Sequence, residues 1–128
     1  MPRYFNPNSI CPPFNPYSHG AEIKAGSRLV YTAGQVGADK DGNIASDFEG
    51  QAHLAYANIE IILKDAEMTF ANLVKMTTFL INPDDGPKMR VIRKSFLKDT
   101  RPPHTLLYVS RLADPEFLIE VEAVAAAD

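Results

Sequence analysis

The chain has 128 residues, 45% of them hydrophobic, with 13 Lys and Arg against 16 Asp and Glu for a formal net charge of −3. That supplies one buried core and leaves no room for a second, so residues 1–128 are read as a single domain. The acidic balance argues against DNA or RNA as partner, the lone Cys11 excludes an internal disulfide, and no segment nears the roughly 20 apolar residues of a membrane span.

Three His and one Cys give no cluster at metal-ligand spacing, so no metal site is expected. The opening Met1-Pro2-Arg3-Tyr4-Phe5-Asn6 contains no apolar run of signal-peptide length. A cytoplasmic protein that handles a small-molecule substrate is the starting expectation.

Residues 1–16 hold Pro2, Pro7, Pro12, Pro13 and Pro16, a density that removes backbone donors and predicts an extended arm. A hairpin follows, with Glu22–Lys24 and Leu29–Val36 joined by a turn at Ala25-Gly26-Ser27, and a second turn falls at Asp41-Gly42-Asn43. Ser46 or Asp47 caps a helix whose apolar positions Ala52, Ala55, Ile59, Ile62, Leu63 and Ala66 recur at three- and four-residue spacing. Val74–Ile81 reads as a strand. Pro87 opens a second helix reaching Lys98 that buries Met89, Ile92 and Phe96, and Arg101-Pro102-Pro103 ends it. Two last strands, His104–Ser110 and Phe117–Val124, flank a turn at Ala113-Asp114-Pro115.

This order predicts an α+β domain, one mixed sheet with both helices on one face and the other face uncovered. Side chains alternate along a strand, so Ile119, Val121 and Ala123 face the helices while Glu120 and Glu122 lie on the open side. Two carboxylates in an apolar strand fit either a solvated face or a pocket at a subunit interface, and spacing leaves both open. His104 is an ordinary element-end residue or a titratable pocket group, Tyr17 a packing ring or a hydroxyl presented to a ligand, and Gly34 a bulge or a place of close backbone approach. Lys88, Arg90, Arg93, Lys94 and Lys98 read chiefly as the solvated face of the second helix.

Four segments in register carry a resemblance: Pro16-Tyr17-Ser18-His19-Gly20, Thr32-Ala33-Gly34-Gln35-Val36, Val74-Lys75-Met76-Thr77-Thr78-Phe79-Leu80 and Ile119-Glu120-Val121-Glu122-Ala123. Together they resemble the signatures of the Rid (reactive-intermediate deaminase, YjgF) superfamily, over nearly the whole chain from Tyr17 onward. The resemblance implies a chorismate-mutase-like fold and a homotrimer with a central barrel and ligand clefts between subunits. It also implies hydrolysis of a reactive enamine or imine without a cofactor. Glu120 matches the family's catalytic glutamate, Tyr17 its pocket tyrosine and Gly34 its ligand-contacting glycine. Where the 2-aminoacrylate deaminases carry a carboxylate-binding arginine, this chain reads Pro102-Pro103-His104-Thr105. His104 is therefore expected to contact substrate and share proton traffic with Glu120, and small 2-imino acids are expected to bind weakly. Arg90, or alternatively Arg101, is expected to bring the missing guanidinium. The alternatives are a non-catalytic metabolite-binding trimer and, less favoured by the net charge, an endoribonuclease or translation inhibitor.

Overall fold

The computed structural model describes residues 1–128. Its strands are β1 (Arg3–Phe5), β2 (Gly20–Glu22), β3 (Arg28–Tyr31), β4 (Gln35–Val36), β5 (Leu73–Leu80), β6 (His104–Tyr108) and β7 (Ile119–Ala127); its long helices are α1 (Phe48–Asp65) and α2 (Gly86–Leu97). Five strands form the main sheet in the order β3-β7-β5-β6, with β4 also on β7. Only β5 and β6 run parallel, joined by α2, as a parallel pair requires a crossover. The expected α+β arrangement of two helices on a mixed sheet is observed.

The Asp47 side chain accepts from the Gly50 amide at 2.8 Å and starts α1 by satisfying a free helix-end donor. Ala52, Ala55, Ile59 and Leu63 are fully buried against Ile119, Val121 and Ala123 in one core of 18 residues. That confirms the helix-facing side of β7. Gln51 fixes the approach to β7, since its amide donates to the carbonyls of Ala45 and Glu116 while its oxygen accepts from Leu118 N. No helix is long and apolar enough to cross a membrane.

Three details differ from the sequence expectation. The segment at Glu22 does not pair with the one after the turn: β2 pairs with β1, and β3 and β4 both pair with β7. The arm is therefore partly ordered strand, because Arg3–Phe5 lies between Pro2 and Pro7 and its short ladder needs no proline donor. Tyr4 ties it to the domain through a 2.7 Å bond to the Leu73 carbonyl, and a side chain at Gly20 would collide with the Phe5 ring. The last strand also runs on through Ala125-Ala126-Ala127, paired with β3.

Opposite the helices the sheet is uncovered. Leu29, Tyr31 and Leu107 are exposed there or at its edge, together with the half-buried Phe79 and Glu120.

Candidate functional site

The largest recess, about 430 Å³, lies where the arm crosses the start of β6 and the face of α2. Tyr17, Ser18 and His19 form its arm side, Arg90 and Arg93 come from α2, Lys75 from β5, and His104 and Thr105 from β6. No carboxylate lines it. Three cationic side chains and no acid give the recess a positive lining.

Arg93 is the residue that sequence reasoning misplaced. It is 7% exposed, not on the solvated face. Its position follows from spacing, since residue 93 is four from Met89 and from Leu97, both buried, and so shares their stripe. Lys88, by contrast, is a surface residue paired with Glu49 and Asp85.

Arg93 Nη1 lies 2.8 Å from His104 Nδ1. A guanidinium has only donors, so Nδ1 must accept and the ring proton must sit on Nε2. That proton is donated to Thr78 Oγ1 at 3.0 Å, and Thr78 stands 3.0 Å from Tyr56 Oη in the core. Both nitrogens of His104 are thus engaged inside the chain. Burial, reinforced by the charges of Arg93 and Lys75, lowers the imidazole to a pKa of about 3, so it is neutral at pH 7. Burial also lowers Arg93, with Arg90 adding to the effect, but a guanidinium stays charged. The remaining donors of Arg93 meet no acceptor in the chain, and the residue lines both the recess and the groove beside it.

Lys75 reaches the recess from the other side of β6, where its ammonium donates to Thr105 Oγ1. Burial lowers its pKa as well. His19 borders the recess with a buried Nδ1 that has no partner. Arg101 lines an adjoining groove with Lys94, Lys98 and Asp99, which Arg90 and Arg93 also border. Arg111 is occupied by the carbonyls of Leu112 and Ala113.

Of the residues singled out from the sequence, the structure brings together Tyr17, Arg90 and His104 in the recess and, separately, Gly34 and Glu120. Glu120 pairs across β7 with Phe79 and Val36, on the sheet face opposite the helices, whereas His104 opposes Met76 on the helix side. Within one chain Glu120 does not line the recess. Its carboxylate covers Gly34 so closely that a Cβ there would stand 2.4 Å from Oε1. Glycine at position 34 leaves room for that approach. No group of three or more His, Cys, Asp or Glu is placed to hold a metal ion.

A mixed sheet backed by two helices, with a recess of positive lining at its parallel edge, defines a small α+β domain. Residues 8–127 match the family described as Endoribonuclease L-PSP. A RutC family protein of Pyrococcus horikoshii is 35% identical over 115 residues, 88% of each chain. The 2-iminobutanoate/2-iminopropanoate deaminase of Salmonella typhimurium is 31% identical over 114 residues, 86% of each. The solved structure of the Rid-family protein YyfB from Yersinia pestis superposes with a TM-score of 0.87 at 31% identity, covering 98% of both chains. The chain belongs to this family, the Rid (YjgF) superfamily.

Proposed function

We propose that the protein hydrolyses a reactive enamine or imine acid to the keto acid and ammonia, at a cleft completed by a second subunit. The observation that carries this reading is Arg93, a buried guanidinium on an acid-free recess whose only partner is a neutral imidazole. A buried cation left without a counter-charge is costly, and an incoming carboxylate supplies one through paired charge-assisted bonds. Arg93 from α2 thereby stands in for the arginine that relatives carry at position 104, and His104 acts as its positioning residue rather than as an acid or base. Arg90 flanks it, and Tyr17 donates a hydrogen bond from the arm.

In the reaction, water adds to the imine carbon and one of its protons passes through Glu120 to the imine nitrogen, giving the carbinolamine. Glu120 then takes the hydroxyl proton and hands it to the nitrogen as the carbonyl forms and the carbon–nitrogen bond breaks, so one water is consumed and one ammonia released. The Gly34 backbone fixes the ligand beneath the carboxylate. Because Glu120 does not line the recess of its own chain, the acid reaching a given recess belongs to a neighbouring copy. The uncovered apolar face with Leu29, Tyr31 and Leu107 supports such packing, with a cyclic trimer as the assembly. Small 2-imino acids such as 2-aminoacrylate, lacking groups to engage the further cations, are poor substrates.

That separation within one chain also favours a second reading, a metabolite-binding assembly without turnover. RNA cleavage has less support, because the net charge is −3. The test is ammonia release from imines generated in situ by an amino-acid oxidase, with light scattering of the same sample. Catalysed release from a trimer supports the proposal; saturable binding without release selects the second reading, and a monomer rejects the shared cleft.

A further inference from the structure

We infer that the substrate carries two acidic groups, a 2-imino or enamine dicarboxylate or its equivalent, with the first acid on Arg93 and the second on Lys75. The inference rests on the deaminase reading for the reaction, but its geometric basis is independent of any chemistry.

The two cations are held by consecutive residues of β6, His104 for Arg93 and Thr105 for Lys75. Consecutive strand residues point to opposite faces, so the guanidinium stands on the helix side of the strand and the ammonium on the open side. The register agrees, since His104 opposes buried Met76 while Thr105 opposes Thr77 on the uncovered face. Both nevertheless line the same recess, which wraps the start of β6. A single carboxylate spans only the two oxygens of one group and cannot neutralise cations on both sides of a strand.

Neither cation has a counter-charge of its own. The recess contains no Asp or Glu, Arg93 faces a neutral ring, and Lys75 donates to a hydroxyl. Glu122 is the nearest acid by register, because it opposes Thr77 and borders a smaller cavity that Lys75 also lines, yet no ion pair joins them. Burial lowers both cations from their ordinary ranges, as expected for charged groups held without an anion. Arg90 at the rim adds a third positive charge. A monoanionic substrate leaves at least one of these partly buried charges unmet. A dianion meets both anchored cations at once, and about 430 Å³ accommodates a four- or five-carbon diacid together with its waters.

The experiment compares initial rates of ammonia release, above spontaneous hydrolysis, for imines formed in situ from aspartate, glutamate and alanine. It uses the wild-type chain, Lys75→Met and Lys75→Arg. The wild-type kcat/KM for a diacid imine should exceed that for the alanine-derived imine by at least about tenfold, the worth of one charge-assisted bond. Lys75→Met should bring the ratio close to one, chiefly through KM, and Lys75→Arg should keep most of it. A wild-type preference for the alanine-derived imine, or an unchanged ratio in Lys75→Met, overturns the inference. If no imine is turned over, the deaminase reading fails by itself. The two-acid assignment is then decided by calorimetry, in which 2-oxoglutarate should bind at least about tenfold tighter than 2-oxobutanoate and lose that advantage in Lys75→Met. Equal affinities for the two keto acids reject it.

Discussion

The recess at the β6 edge and the Glu120 face of the same sheet are built in opposite ways. In the recess the two inner cations are anchored: Arg93 on His104, His104 on Thr78, Thr78 on Tyr56, and Lys75 on Thr105. Glu120 has no hydrogen bond within the chain and is positioned by the glycine beneath it and by the strand that carries it. One region is cationic and without an acid; the other offers an acid on an uncovered face. Each supplies what the other lacks. A rigid binding half and an exposed acid half are what a site assembled between copies requires, because the ligand can be seized by one chain before the second completes the chemistry.

Substitutions that strike one half at a time sharpen this contrast. The largest effect is expected for Glu120→Gln, which keeps shape but removes proton transfer: kcat should fall by about 100-fold or more while melting temperature and ligand affinity stay near wild type. Arg93→Met should do the reverse, raising KM by about 100-fold for loss of paired charge-assisted bonds, with a smaller change in kcat.

The third test uses pH. His104 is neutral in the folded chain down to a pKa of about 3 but ionises near its ordinary value of 6.5 when unfolded. The unfolded state therefore takes up a proton that the native state refuses, and stability is lost as pH falls from about 6.5 toward 3. Between pH 7 and pH 5 this linkage removes about 2 kcal/mol, visible in urea titrations, and His104→Gln should flatten that part of the profile. Gly34→Ala is expected to lower kcat about tenfold by displacing the Glu120 carboxylate, with KM little changed. Arg90→Ala should have the smallest effect, a few-fold rise in KM, because Arg90 is a partly exposed flank of the recess.

The sheet, the helices and the helix-facing side of β7 were legible because alternation and three- and four-residue spacing report burial directly. Glu120 and Gly34 were legible as a pair only through family resemblance, since a carboxylate on an open face looks the same whether it meets solvent or a neighbour. Arg93 was misread because a run of Lys and Arg on a helix suggests a uniform solvated face. Its four-residue relation to Met89 and Leu97 was the available signal, but a charge on an apolar stripe means nothing until its partner is known. That partner, His104, is 11 residues away and comes into reach only through the parallel pairing of β5 and β6. Lys75 was hidden for the same reason, its anchor Thr105 lying 30 positions on. The β1–β2 pair was missed because proline density was weighed over the whole arm, whereas a three-residue ladder needs only the segment between two prolines.

The most direct measurement mixes two defective chains. Glu120→Gln keeps the cationic recess and Arg93→Met keeps the acid, so at substrate concentrations near the wild-type KM, far below that of Arg93→Met, neither homo-oligomer should release ammonia at an appreciable rate. Denatured together at equal concentration and refolded, they should regain up to about a quarter of wild-type activity, the share of clefts that random assortment makes from two intact halves. If the mixture stays as inactive as its parents while wild type refolds to full activity under the same conditions, the acid and the recess do not meet across subunits, and the account is wrong.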